Sequence, residues 1–168
     1  MTSRVTGRGA AGRPDGRPVR IRRATARDAK RLTALVRRSG AYEGPYAPMV
    51  AGYRVGPDYI EAHEVHVAVG EDEEVERVLG FYALVLAPPE LDLMFVADAA
   101  QGLGVGRALV AHMTGRARAA GVSDVRVVSH PPAEGFYRSV GARRVGTVYA
   151  NPPAVMWDRP ELVIAVTP

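Results

Sequence analysis

No cysteine occurs among the 168 residues of this chain, so disulfides, a thiolate nucleophile and a cysteine-based metal site are all excluded. There is one lysine, Lys30, and it follows Ala29, so the Gly-Lys step of a Walker A phosphate loop is missing. No apolar run reaches the length that spans a membrane. The first residues carry arginines without the apolar stretch of a secretory signal, so the cytoplasm is the expected compartment. The four histidines and the acidic residues form no trio with metal-ligand spacing, and no metal is expected.

The charge is uneven. The formal net charge is +4, but residues 1–23 alone hold seven arginines and one acid, which leaves the rest of the chain at −2. Residues 1–18, MTSRVTGRGAAGRPDGRP, have almost nothing to bury and read as a disordered Arg/Gly-rich tail ahead of one domain over 19–168. Such a tail has the charge to touch nucleic acid, yet the acidic balance of the folded part argues against nucleic acid as the partner. Arginine outnumbers lysine 21 to 1, a bias that fits a GC-rich coding sequence better than any chemistry.

Hydrophobic periodicity lays out the domain. VRIRRAT (19–25) alternates as a strand, and Thr25 with Asp28 has the form of a capping box. Ala29, Leu32, Leu35 and Val36 then share one helical face. Residues 40–57 are broken by Gly and Pro, and a short helix is predicted at DYIEAH (58–63). Strands are predicted at 64–70, 78–86 and 90–96, with the acidic stretch EDEEVER (71–77) as a turn between the first two. A helix follows over 107–120 with Gly121 as its stop. Then come a strand at 124–130, a short helix at 133–140, and strands at 143–150 and 161–166. The mixed order, with hairpins in the middle, predicts a three-layer α/β (α+β) fold. Its mixed, mostly antiparallel sheet would have six to seven strands flanked by about four helices.

ADAAQGLGVGRALVAHM (97–113) places Gly102, Gly104 and Gly106 between a buried strand and a helix. Free N–H groups at a helix N-terminus favour an anion, and missing side chains let it approach. A Rossmann fingerprint would need glycine at 107, which is Arg107. What remains is Gln101-x-x-Gly104-x-Gly106 followed by Arg107. This pattern, after a strand ending MFV, resembles the acetyl-CoA pyrophosphate loop of the GNAT N-acetyltransferase superfamily. The later AEGFYRSVGARRVG (133–146) is similar to the FY-x-x-x-GF segment of that family, so the resemblance covers roughly 19–168.

The resemblance implies a GNAT-like fold and acetyl-CoA, or a related acyl-CoA, as acyl donor. It implies that Met94, Phe95 and Val96 face the pantetheine arm at a bulged strand end. The diphosphate would lie on the loop Gln101, Gly102, Leu103, Gly104, Val105, Gly106 and Arg107. Tyr137 matches the tyrosine that often protonates the departing thiolate. Where the family often has a cofactor-contacting Asn, this chain has His130, which either replaces that contact or ends a strand.

Acyl transfer from a thioester to an amine needs the amine deprotonated, an oxyanion stabilised and a thiolate protonated. No covalent intermediate on the protein is required, in accord with the missing cysteine. A phenol is close enough in pKa to a thiol to serve as the acid; packing beside Phe136 is the other role open to Tyr137. Strand alternation puts Glu90, Asp92 and Met94 on one face and Leu91, Leu93 and Phe95 on the other. Glu90 has the spacing to Gln101 of the base glutamate in the family's histone-acetylating branch. Glu90 and Asp92 are therefore the base candidates, with His63 and His66 behind them; His112 reads as a surface or packing residue. The acceptor, a small-molecule or peptide amine, is expected between residues 42–59 and 151–157. Tyr42, Glu43, Tyr46 and Trp157 would line that site. A catalytically silent acyl-CoA-binding module is the alternative, and a homodimer is left open.

Overall fold

The computed structural model describes residues 19–72 and 75–166, so the tail expected over 1–18 lies outside the described residues. The strands are β1 (Arg20–Arg23), β2 (Glu64–Asp72), β3 (Val75–Leu86), β4 (Pro89–Val96), β5 (Asp124–Val128), β6 (Arg143–Val148) and β7 (Arg159–Ala165). The helices are α1 (Ala29–Arg37), α2 (Pro48–Ala51), α3 (Pro57–Ala62), α4 (Val105–Ala119) and α5 (Glu134–Ser139). All seven strands form one sheet in the order β1-β2-β3-β4-β5-β7-β6, antiparallel throughout except where β4 meets β5. That parallel pair needs a crossover, and α4 supplies it.

The sheet is buried on both faces. Leu109, Met113 and Ala117 of α4 pack with Tyr82, Leu84, Leu91, Val125 and Val127 on one side. Leu32 and Val36 of α1 and Ile60 of α3 pack with Val65, Val67, Phe81 and Phe95 on the other. Each fully buried aliphatic or aromatic side chain of this kind contributes about 1.5–3 kcal/mol. The predicted start of the first helix is present: the Asp28 carboxylate accepts the Thr25 N–H at 2.8 Å and pairs with Arg22 and Arg31.

Two local readings are corrected, and one segment gains detail. The acidic stretch 71–77 is mostly strand, with Glu71 opposite Glu76 and Asp72 opposite Val75. The hairpin ladder satisfies the backbone there, and Arg22 takes up the Glu76 carboxylate at 2.7 Å. Residues 40–57, broken by Gly and Pro as the sequence shows, hold single 3-10 turns at Gly40–Tyr42 and Gly44–Tyr46 that lead into α2. Finally, β4 does not alternate evenly. Leu91 pairs with Leu84 and Leu93 with Ala83, which leaves Asp92 as an extra, bulged residue. The bulge reverses the parity beyond it. Leu91 packs with the α4 cluster, as do Met94 and Val96, whereas Leu93 and Phe95 pack with the α1 cluster. Met94 therefore does not share a face with Asp92. The bulge also lies two residues ahead of the Met94–Val96 stretch where it was expected.

Candidate active site

β4 and β5 pair at one position, Glu90 opposite Arg126, and part beyond it. Between them opens a cleft of about 820 Å³, lined by residues 91–96 of β4, Val127 and Val128 of β5, and His130. The two halves of the cleft differ in chemistry. One is walled by Gln101, Gly102, the start of α4 and Phe136. The other is walled by Tyr42, Met49, Tyr53, Asp92 and Arg159.

The glycines of the first half have two distinct reasons. Gly102 and Gly104 hold φ of 78° and 79°, in the left-handed region that side chains with a Cβ avoid. Gly106 is ordinary helix, but a Cβ on it would lie 3.1 Å from Cζ of Phe136, so its bareness lets α5 approach α4. From Gly102 to Arg107 no amide donates a backbone hydrogen bond outside the helix among the described residues, and the first turn of any helix leaves its N–H groups without acceptors. Space beside Gly102 is open, with no atom within 4 Å of a Cβ placed there. The Gln101 side chain serves the fold, donating to the Val96 carbonyl at 3.1 Å and so tying the loop to the end of β4. Leu103 packs against the α4 core and is not part of the cleft wall. Arg107 lines the cleft while its guanidinium reaches Ser139 on α5 at 3.2 Å.

Tyr137, on α5, lines the cleft where its halves meet and is 7% exposed. Burial pushes its phenol pKa up from 10, with a smaller contribution from the nearby Tyr42 phenol. His130 ends β5's extension into the cleft. Its Nε2 lies 2.7 Å from the Ala41 carbonyl, so that nitrogen is the donor and Nδ1, buried without a partner, carries the lone pair. Burial holds His130 below the usual imidazole range, which keeps it neutral near pH 7.

A short strap crosses the cleft mouth. Gly40 N–H is bound by the Asp98 carboxylate at 3.0 Å, Ala41 by His130, and the Tyr42 ring stacks on His130 at 4.0 Å and on Phe95 at 5.5 Å. Tyr46 packs edge-on against both His130 and Trp157. Of the residues expected around the acceptor, Tyr42 is in the cleft wall. Tyr46 and Trp157 stand behind it as support, and Glu43 is exposed on the strap's outer side.

The two carboxylate candidates separate. Asp92 lines the cleft and accepts a short hydrogen bond from the Tyr59 hydroxyl. Glu90 is not in the cleft wall; it faces Arg126 at 3.6 Å at the point where the strands join. His66 lies outside the cleft, its Nε2 2.7 Å from Glu64, and His112 bonds the buried Tyr82 hydroxyl at 2.7 Å. The sequence reading missed Asp98 and Arg159. The positional clue for Asp98 was its place three residues before Gln101; for Arg159 it was the start of a strand after a Pro-rich loop.

Amide donors at one end of a cleft, with a phenol and a carboxylate further in, suit transfer of an acyl group from a donor that carries a diphosphate. Residues 57–151 match the acetyltransferase (GNAT) domain, and the chain belongs to that family of acyl-transfer enzymes. Among curated protein sequences there is no significant match. Solved structures share the fold. A GCN5-related N-acetyltransferase from Rhodopseudomonas palustris superposes with a TM-score of 0.73 at 17% identity, over 87% of this chain and 94% of that one. A phosphinothricin acetyltransferase from Sinorhizobium meliloti, solved with acetyl-CoA, gives 0.66 at 21% identity over 88% of each. The ribosomal-protein-S18-alanine N-acetyltransferase from Escherichia coli gives 0.63 at 16% identity, over 89% and 94%. No helix among the described residues is long and apolar enough to cross a membrane.

Proposed function

We propose that this chain transfers an acetyl group from acetyl-CoA to a primary amine, by direct attack with both substrates held in the cleft. Acetyl-CoA supplies an activated thioester carbonyl and a thiolate leaving group. The amides of Gly102 to Arg107 would hold its diphosphate, helped by the α4 dipole. The parted edges of β4 and β5 offer backbone groups to the amides of the pantetheine arm. Tyr137 donates a proton toward the leaving sulfur. Asp92 accepts an N–H of the amine, a task for which Glu90, engaged by Arg126 outside the cleft wall, is not placed.

The observation that carries this reading is that one cleft is lined by the glycine loop, Tyr137 and Asp92 together. The test is release of CoA thiol from acetyl-CoA across a panel of amines. In the same assay Asp92→Asn should lower kcat/KM for the amine about tenfold, a moderate loss for one polar contact. KM for acetyl-CoA should not move. The amide oxygen still accepts from Tyr59, so the bulge is kept. An Asp92→Asn enzyme with wild-type kcat/KM would remove Asp92 from the reaction.

A further inference from the structure

The acceptor half of the cleft holds a cation that the fold does not use. Arg159 opens β7 and lines the cleft. The antiparallel register sets Val128 against Glu161, and Ser129 N–H reaches the Pro160 carbonyl at 2.9 Å, which brings Arg159 beside His130. Its Nε is buried and has no hydrogen-bond partner, and no carboxylate pairs with it among the described residues. The neighbouring arginines of the same sheet are engaged. Arg126 bonds Glu161 at 3.0 Å, and Arg144 binds Glu134 and Thr147. Arg107, the other guanidinium of the cleft, belongs to the loop end and is held by Ser139.

The groups facing Arg159 do not neutralise it. His130 presents an unprotonated Nδ1, and the half-buried Tyr42 phenol lies nearby. The only carboxylate of the cleft wall among the described residues, Asp92, accepts from Tyr59 and forms no ion pair with Arg159. A guanidinium with a buried, unpaired N–H is a fork without its anion, and carboxylates fit that fork with two parallel bonds. Between Asp92 and Arg159 the wall is largely the apolar or aromatic bodies of Tyr42, Met49, Val50 and Tyr53.

We propose that the acceptor amine itself carries a carboxylate, which Arg159 binds while Asp92 holds the amine: an amino-acid-like acceptor rather than a polyamine or a protein N-terminus. This rests on the acetyl-transfer reading and narrows it to a substrate class.

The experiment uses the full chain and pairs of acceptors that differ only in the carboxylate: amino acids against their amides, and ω-amino acids against the matching alkylamines. CoA thiol release gives kcat and KM. Calorimetric titration of each acid into the protein–CoA complex gives binding without turnover. Acids should be preferred at least thirtyfold over their partners, roughly what one charge-assisted pair provides. Arg159→Gln should raise KM for the acids by about the same factor. It should leave the amides and KM for acetyl-CoA alone, and Arg159→Lys should recover part of the loss. Amides or alkylamines used as well as the acids would overturn the carboxylate while leaving acetyl transfer intact. So would a loss of acetyl-CoA affinity in Arg159→Gln, which would move the arginine to the donor. If that variant does not fold, the acid-over-amide preference of the unaltered protein decides alone. Acetyl-CoA bound with no amine of either kind acetylated would bring down both readings.

Discussion

Replacing Tyr137 with phenylalanine is expected to lower kcat roughly a hundredfold, within the range for loss of a general acid. Acetyl-CoA affinity should hardly change, because the ring and its packing 5.2 Å from Phe136 are kept. The protonation state sets the pH dependence. Burial raises the phenol pKa above its ordinary 10, so the donor form is the one present at every pH up to and beyond that value. The unaltered enzyme should therefore show no alkaline limb from this group below pH 10. A phenol made less acidic by burial gives its proton only to a comparably strong base. A thiolate expelled into the same apolar setting is made more basic by the same desolvation. Steady-state rates across pH, with stopped-flow thiol detection, measure this directly. A variant as fast as the parent would reduce Tyr137 to a core residue.

Gly104→Val should weaken acetyl-CoA binding about a hundredfold, or about 2.7 kcal/mol. Gly104 caps α4 at φ 79°, where a β-branched residue is strained, and the relaxation of that strain turns the first amides of the helix away from their common target. Strain also costs global stability, so a control is needed. Gly121, at φ 76° with open space around its Cα, stands past the other end of the same helix. Gly121→Val should lose similar stability in urea and keep full affinity by calorimetry. Equal affinities for the two variants would mean that the loop's geometry serves the turn alone.

The glycine loop, the strand before it and the Phe136-Tyr137 segment were legible in the sequence because each depends on local chemistry: bare backbone, period-two burial, a short amphipathic helix. The same locality explains what was not. Nothing in ELDLMFV marks Asp92 as the extra residue; the bulge exists because β3 presents Ala83 and Leu84 in a register that β4 meets only by skipping one position. Gly106 was read with its neighbours as ligand space; it does line the cleft, but a second reason for its bareness lies thirty residues away in Phe136. Arg159 is one of twenty-one arginines, and composition gives it no contrast. Its significance comes from what fails to stand beside it, which only the packed chain reveals. Tyr46 and Trp157, expected to line the acceptor site, stand one layer behind Tyr42, which takes the position in the cleft wall.

The parting of β4 from β5 has a consequence for solubility. Beyond Glu90 and Arg126 each strand turns an unsatisfied edge toward the other, in the middle of the sheet instead of at its rim. Exposed edges invite pairing with strands of other molecules, and proteins usually blunt them with charge or proline. Here the strap does that work: the Tyr42 ring lies against both sides, on Phe95 and on His130. The opening proposed to take the substrate is thus the same opening that exposes strand edges, and one aromatic residue, Tyr42, lies across it.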